Sequence, residues 1–381
     1  MAGEPASIPP TPSHASINRI RVVDLPGIIV DEAVRGEQAY ALLSAPAICA
    51  YVQAGADDLC LPPRLRALAQ KSPEARTEIP RFLEQCLSNE QNQVRRAAQA
   101  ITQQLGRNLG YILLTLHRGD AANQSARSDW APSDWAAWGA VQRVVLGGGL
   151  MGGPLGQGII ASARALLAEV GHPDLFRLET AAHARDMALL GAARYVAPDA
   201  RRAVVLDMGQ TGTKRAAFTC SDGTLLSATR LASVPVPWPW RNNPTAAQQI
   251  DSRQVLSYIS STICRTWQEA AATGEIPHPR VPISIAAYVR DGELLGNGIY
   301  ATLSRLTSDS RSLIAEAVSR HCDIQVELQL IHDGTAAAAL YAGAPDAAVL
   351  VVGTALGAGF PPSSGEALRL ILEPFAWDPA N

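Results

Sequence analysis

Three glycine-bearing turns constrain this chain most, because each one directly follows a short apolar run of the kind that forms a buried strand. The turns span residues 147–149, 207–214 and 353–359. Glycine at a strand end lets backbone N–H groups come close to a bound phosphate or nucleotide. The repetition of this pattern predicts an α/β protein whose strand ends form a binding edge.

The turn at 207–214 contains several side chains that could bind a phosphate or a metal ion. Gly209 opens the backbone, and the hydroxyls of Thr211 and Thr213 add hydrogen-bond donors. Asp207 at the strand end can hold Mg²⁺ directly or through water, and Lys214 can supply positive charge to the same phosphates. An ordinary β-hairpin with a glycine-rich turn is the structural alternative.

The turn at 353–359 follows the apolar strand at 347–352 and contains Gly353, Thr354, Gly357 and Gly359. Such a run predicts a nest of N–H donors for the β- and γ-phosphates of a nucleotide. Any turn between two strands can also collect glycines, so the run alone does not decide.

The turn at 147–149 consists of Gly147, Gly148 and Gly149. A base and ribose can lie flat against a backbone that has no side chains. The alternative is that these glycines allow a helix to pack closely on the strand.

A carboxylate is predicted at another strand end, where Asp333 begins a helix rich in small residues. The structural alternative is that Asp333 only caps the N-terminus of this helix. Beside a phosphate site, the same carboxylate can accept a proton from a substrate hydroxyl, which is the general-base role in phosphoryl transfer. The small residues at 336–339 are expected to pack tightly against the neighbouring lobe.

Composition excludes several classes of protein. The formal net charge of −3 gives no support for a nucleic-acid partner. The six cysteines form no C-x-x-C pair, so we expect reduced core thiols in a cytoplasmic protein, without a zinc site. We also expect no membrane association, and a flexible tail at 1–19 that is not a secretory signal.

Periodicity predicts the elements between these motifs. Helices are expected near 31, at 92–116, 155–170, 183–195, 245–272, 310–320 and 333–341. Strands are expected at 141–146, 203–207, 211–219, 225–236, 281–287, 326–331 and 347–352.

Taken together, the segments resemble the ROK family of sugar kinases, within the actin, hexokinase and Hsp70 superfamily. Residues 207–214 resemble the family's first phosphate motif, 332–338 its catalytic segment, 353–359 its second phosphate motif and 144–149 its adenosine motif. The resemblance implies a two-lobed, actin-like (RNase H-like) α/β fold, ATP and Mg²⁺ as cofactors, and Asp333 as the base.

The order of the motifs differs from the family, where the adenosine motif follows both phosphate motifs. Here it precedes them, which indicates circular permutation. We therefore expect a nucleotide-side lobe at 20–200, completed by 346–381, and a second lobe at 201–345.

The departures from the family lie on the sugar side. The family's zinc motif is absent, and His332 replaces the Asn before the catalytic Asp. This position makes His332 a candidate for substrate contact. Glu366 lies in a partial match to the family's sugar-contacting segment, and Trp240 is a further candidate for substrate contact. A sugar, amino sugar or cyclitol is therefore expected as the small-molecule hydroxyl substrate, bound by a homodimer. A catalytically degenerate, nucleotide-binding regulator is the alternative function.

Overall fold

The computed structural model describes residues 8–68, 75–238, 249–363 and 368–378. The chain forms a mixed α/β structure that divides into two compact units. We call Pro12–Asp186 with Asp346–Phe360 the helical unit, and Met1–Thr11, Met187–Pro345 and Pro361–Asn381 the sheet unit. The predicted boundaries differ from these, because the prediction assigned 187–200 and 361–381 to the nucleotide-side lobe.

The helical unit contains a four-stranded sheet and most of the helices. Its helices are α1 (Ala39–Leu42), α2 (Ala45–Ala54), α3 (Pro63–Leu68), α4 (Ala75–Cys86), α5 (Asn92–Arg118), α6 (Ala121–Ser125), α7 (Pro132–Gly139) and α8 (Pro154–Glu169). Its strands are β1 (Arg143–Gly147), β2 (Arg177–Thr180), β10 (Ala347–Val352) and β11 (Leu356–Gly359). The strand order is β11-β10-β1-β2, with β10, β1 and β2 parallel and β11 antiparallel to β10.

The predicted long helix is confirmed as α5. Small residues let it lie directly on α8, since a Cβ on Gly106 would stand 2.5 Å from the Ile159 carbonyl oxygen. Gly119 ends the helix with a φ of 54°, a left-handed conformation that suits glycine at this position.

The sheet unit contains a six-stranded sheet with the order β12-β5-β4-β3-β6-β9. Its strands are β3 (Arg202–Met208), β4 (Gly212–Ser221), β5 (Thr224–Pro235), β6 (Arg280–Ile285), β9 (Glu327–His332) and β12 (Leu370–Asp378), and β7 (Tyr288–Arg290) pairs with β8 (Glu293–Leu295) as a separate hairpin. Its helices are α9 (Met187–Ala193), α10 (Ser252–Ala272), α11 (Ser310–Cys322) and α12 (Asp333–Ala338).

Strand β3 shows why both faces of this sheet are covered. Val204 and Leu206 face a core shared with α10 and α11, whereas Ala203 and Val205 face a second core shared with α9 and α12. This alternation is the two-residue period of a strand. Strands β3, β6 and β9 are parallel, and β3, β4 and β5 form an antiparallel meander. The turn between β4 and β5 has Asp222 and Gly223 at positive φ, a conformation that suits an Asp-Gly pair in a two-residue hairpin turn.

Several sequence expectations are wrong. Residues 32–36 form turns, so no helix begins at Asp31. The residues at 12–19 are not a flexible tail: they form short 3₁₀ turns, and Ile17 is fully buried. Strand β12 pairs with β5 and therefore extends the sheet unit, not the nucleotide-side lobe. The small residues after Asp333 pack on α9 of the same unit, where a Cβ on Gly191 would meet the Ala336 carbonyl.

The cysteines also depart from expectation. Cys264 of α10 and Cys322 of α11 form a disulfide, so they are not reduced core thiols. Cys49, Cys86 and Cys220 are free and buried, whereas Cys60 is free and exposed. Because the two bonded residues lie 58 positions apart, spacing alone could not reveal the pair.

Candidate functional site

Asp207 lies near the carboxyl end of β3 and is held by two side chains. The Ser284 hydroxyl donates to its Oδ1 at 2.9 Å, and the Lys214 ammonium donates to its Oδ2 at 3.1 Å. Sheet pairing explains both contacts, because Asp207 lies directly opposite Lys214 on β4 and Ser284 on β6. Asp207 is only 8% exposed, so the Lys214 charge offsets the cost of burying its carboxylate.

The turn from Gly209 to Gly212 is closed by its own backbone. The Gly209 N–H donates to the Gly212 carbonyl at 3.1 Å, and the Gln210 side-chain amide donates to the Ala286 carbonyl at 2.7 Å. Thr211 is exposed, as a phosphate contact requires. The Gly209 N–H is therefore already engaged, and the predicted donor set is smaller than the motif suggests.

Two tyrosines support this turn from within the protein. The Tyr300 hydroxyl donates to the Gly209 carbonyl at 2.9 Å, and the Tyr258 hydroxyl lies 2.8 Å from the Thr213 hydroxyl. Thr213 is fully buried, so the prediction that its hydroxyl contacts a phosphate is wrong: that hydroxyl binds a tyrosine.

Asp333 follows β9 and begins α12. Its Oδ1 accepts the Gly334 N–H at 2.7 Å and lies 3.1 Å from His332 Nε2. The N-cap of α12 is His332, whose side chain accepts the Thr335 N–H. Asp333 is therefore the first residue of α12 and not its N-cap, although its carboxylate also accepts an N–H group of the first turn.

The register of the parallel strands brings Asp207 and Asp333 to the same edge. Met208 of β3 pairs with Ile285 of β6, which pairs with His332 of β9. The two strand ends are thus level and about 10 Å apart, which is two interstrand spacings. Burial and the Asp207 charge raise the pKa of Asp333, against the opposing effects of His332, the Gly334 N–H and Lys214.

His332 is buried, and its ring is held by both hydrogen bonding and packing. The Tyr288 ring lies 5.2 Å from it at a tilt of 33°. Burial lowers the pKa of His332, although the Asp333 charge opposes this. The imidazole is therefore neutral near pH 7.

In the helical unit, two glycine turns leave adjacent parallel strands at the same edge. Gly147 of β1 pairs with Val351 of β10. Gly148 has a φ of 96°, and a Cβ there would stand 2.3 Å from the Val352 carbonyl oxygen. Gly149 has open space around its Cα. The close packing at Gly148 is between two strand-end turns, not between a helix and a strand.

The turn after β10 is shorter than the sequence predicts. The Gly353 N–H donates to the Ala355 carbonyl at 3.1 Å, and the Gly353 carbonyl accepts the Ala45 N–H at 2.8 Å. Thr354 is half-buried within this turn. Gly357 and Gly359 lie in strand β11, paired with Val351 and Val349. The prediction of one continuous nest over 353–359 is therefore wrong, because a strand begins at Leu356.

Two of the three predicted substrate residues, Trp240 and Glu366, lie outside the described residues. The third, His332, is only 5% exposed, and both of its ring nitrogens already have partners within the protein. Sequence reasoning missed Ser284, Tyr258 and Tyr300. Ser284 carried a usable signal, because it is a polar residue in an otherwise apolar strand at 281–285. The tyrosines gave none, since their partners are remote in the chain.

The residues around Asp207 fit a Mg²⁺ ion that is bound mainly by phosphates and water. The described residues contain no group of three or more His, Cys, Asp or Glu side chains that could hold a metal. Both Asp207 oxygens already accept hydrogen bonds, so contact through water suits this carboxylate. Mg²⁺ in nucleotide sites is commonly held by one or two carboxylates together with substrate phosphates.

No protein-family model matches this chain, and no curated protein sequence matches it significantly. Among the described residues, no helix is long and apolar enough to cross a membrane.

Proposed function

We propose that this chain is an ATP-dependent phosphotransferase of the actin-like, ROK-kinase type in circularly permuted order. Its substrate is a small polar molecule with a reactive hydroxyl, such as a sugar, amino sugar or cyclitol. The observation that carries this proposal is the edge of the sheet unit, where Asp333 lies level with the Asp207–Lys214 pair.

A shared topology supports the permutation. In the sheet unit, the hairpin β3–β4 is followed by β6 and β9, which lie parallel beside β3. In the helical unit, the hairpin β10–β11 has β1 and β2 parallel beside β10. The strands β4-β3-β6-β9 match β11-β10-β1-β2 only if β10 is taken as the first strand of its unit, and β5 and β12 have no counterpart in the helical unit. Both predicted phosphate motifs then fall at the same place, the turn of the first hairpin.

The chemistry assigned to Asp333 is removal of a proton from the acceptor hydroxyl. The acceptor oxygen forms a bond to the γ-phosphorus of ATP, the bond to the bridging oxygen breaks, and ADP leaves. A raised pKa suits this role, because a base is most effective when its pKa approaches the working pH. Lys214 adds positive charge beside the phosphates, and Mg²⁺ bound with ATP would neutralise further charge there.

The test is release of ADP in the presence of a panel of sugars, amino sugars and cyclitols, measured for the wild-type chain and for Asp333→Asn. We expect Asp333→Asn to lower turnover by about 10³-fold, because general-base catalysis contributes on that scale. Nucleotide binding, measured by calorimetry, is expected to stay within about twofold of wild type, which excludes misfolding. Full activity in Asp333→Asn would refute the assignment of the base.

One set of observations favours the second candidate, a nucleotide-binding regulator without catalysis. The Gly209 N–H is engaged within its turn, Thr213 is buried, and Gly357 and Gly359 belong to a strand. Each of these reduces the number of donors free to hold a phosphate. Binding of ATP with no ADP release across the panel, and no phosphate release to water, would support this regulator over the kinase.

A further inference from the structure

The two oxygens of the Asp333 carboxylate have different surroundings. Oδ1 accepts the Gly334 N–H at 2.7 Å and lies 3.1 Å from His332 Nε2. Oδ2 has no hydrogen-bond partner among the described residues, although the Asp333 side chain is only 27% exposed. The carboxylate is therefore held through one oxygen, and the other is free to act as an acceptor.

The surroundings of the His332 ring decide which nitrogen carries the proton. The Thr335 N–H donates to Nδ1, at 3.4 Å, and the Thr335 hydroxyl lies at the same distance from that nitrogen. A neutral imidazole has one donor and one acceptor nitrogen, so an Nδ1 that accepts leaves the proton on Nε2. The Nε2–H then points at Asp333 Oδ1. The Tyr288 ring, tilted by 33° at a centroid distance of 5.2 Å, packs against the imidazole and restricts its rotation.

We propose that His332 is a positioning residue for the base: its Nε2–H holds Asp333 Oδ1, so that Oδ2 is the oxygen that takes the proton from the acceptor hydroxyl. The inference rests on the proposed phosphotransferase function. It also gives a physical role to the residue by which this chain departs from the family it resembles. A base held through one oxygen keeps a fixed direction, and small displacements of reacting groups have large effects on rate.

Two amide substitutions separate the two nitrogens of the ring. In His332→Gln the side-chain amide reaches the place of Nε2, which keeps the donor to Asp333 and loses the cap of α12. In His332→Asn the side-chain oxygen takes the place of Nδ1, which keeps the cap and loses the donor. A purely structural His332 would tolerate Asn better than Gln, because Asn is among the best N-cap residues.

The positioning role predicts the opposite order for the rate. We expect His332→Gln to keep kcat within about threefold of wild type, and His332→Asn to lower kcat by about tenfold or more. KM for ATP should stay within about twofold in both variants, because neither nitrogen contacts the nucleotide motifs. The assay uses the best acceptor from the panel and, separately, water as the acceptor. Unfolding temperatures of both variants report the loss or retention of the cap.

An independent readout needs no acceptor. In chain labelled with ¹⁵N-histidine, without nucleotide or metal, the His332 signals should show a protonated Nε2 and a bare Nδ1 between pH 6 and 8. Asp333→Asn should shift the Nε2–H signal and leave Nδ1 in place. The charged and titratable groups that face this pair are Asp207 and Lys214 from β3 and β4 and Tyr288 from β7, so each pH series includes Asp207→Asn as a control.

The outcomes are distinct. Three results would overturn the positioning role without contradicting the proposed kinase function. The first is an equal kcat for His332→Asn and wild type. The second is a His332→Gln variant as slow as His332→Asn, and the third is a protonated Nδ1. Absence of ADP and phosphate release from the wild-type chain with every acceptor would overturn the proposed function, and this inference with it.

Discussion

Strands β4-β3-β6-β9 of the sheet unit have the same arrangement as the four strands of the helical unit, but the strand ends carry different groups in the two units. The edge of the sheet unit has charged side chains: Asp207 and Lys214 lie at the paired ends of β3 and β4, and Asp333 follows β9, two strands from β3. At the matching edge of the helical unit, Gly148 packs against the Val352 backbone, and Gly149 opens onto free space. The edge of the sheet unit is therefore characterised by charged side chains, and the edge of the helical unit by closely packed backbone. Substitutions at the first edge should affect rate, and substitutions at the second edge should affect folding.

The largest stability effect is expected from the disulfide, which only the sheet unit has among the described residues. Cys264 and Cys322 close a loop over a separation of 58 residues. In the loop-entropy model, opening a loop of this length costs about 4 kcal/mol, so reduction should lower the midpoint of chemical unfolding. Thiol titration of the denatured, unreduced chain should show two fewer thiols than after reduction.

The double variant Cys264→Ala/Cys322→Ala is the matched control for this effect. It should unfold at a lower denaturant concentration than the wild-type chain and should not respond to a reducing agent. If all cysteines titrate as thiols before reduction, the disulfide does not form in solution and the two units do not differ in this respect.

Gly148→Ala should have the next largest effect and should act on the helical unit. The added Cβ would stand 2.3 Å from the Val352 carbonyl oxygen, and the φ of 96° is one that L side chains rarely adopt. Overpacking of this kind typically costs 1–3 kcal/mol, so we expect a loss of about 2–3 kcal/mol in the free energy of unfolding.

Gly149→Ala provides the control, because a Cβ there meets no atom within 4 Å. It should leave stability within about 0.5 kcal/mol of wild type, as most surface substitutions do. If it instead weakens ATP binding in calorimetry, the open space above Gly149 belongs to the nucleotide. Equal stability losses in the two variants would contradict the packing described for Gly148.

Sequence reasoning succeeded where the signal is local and failed where it is not. The apolar period of α5 and the glycine turn after β3 were readable because each rests on neighbouring residues. The mixed α/β class followed from the same pattern of strands and helices. The Cys264–Cys322 pair and the Tyr300 contact with Gly209 join residues far apart in the chain, which no periodicity reports.

The site shows the same division. Asp207 and Asp333 could be selected by their positions at strand ends, and the sheet register brings those ends level. The length of the turn after β10 could not be foreseen, because glycine is compatible with both a loop and a strand. Only the pairing of Gly357 and Gly359 with β10 decides between them.

Acid should destabilise the helical unit through two histidines. Burial lowers the pKa of both His14 and His117 from the usual value near 6.5, although Asp134 partly opposes the effect at His14. Because the pKa of each histidine is lower in the folded state, the unfolded chain binds these protons at a higher pH than the folded chain does. Stability should therefore be full above about pH 7 and should fall as the pH drops through 6.5 toward the lowered folded values.

His117→Gln should flatten this dependence, because it removes a titrating group whose Nδ1 is buried and has no hydrogen-bond partner among the residues that the structure describes. The free energy of unfolding, measured between pH 5 and 8, is the readout. His321→Gln is a suitable control, because His321 is exposed on α11 of the sheet unit, whereas the charge of His172 itself contributes to the lowered pKa of His117. An unchanged slope in His117→Gln would show that this histidine does not contribute.

The smallest expected effect is at Asp333, and it has the opposite sign. Burial and the Asp207 charge raise its folded pKa above the unfolded value, so the folded chain holds this proton more tightly than the unfolded chain. Stability from this group is present below the unfolded pKa and is lost as the pH rises through the folded pKa. At pH 7 the ionised carboxylate is thus a cost to folding, and Asp333→Asn should unfold at a slightly higher temperature than wild type while losing activity. The advantage should shrink as the pH falls and should vanish well below 3.8, where the wild-type carboxyl is protonated in both states. A lower unfolding temperature for Asp333→Asn at pH 7 would contradict this prediction, because it would mean that the carboxylate stabilises the fold of the sheet unit.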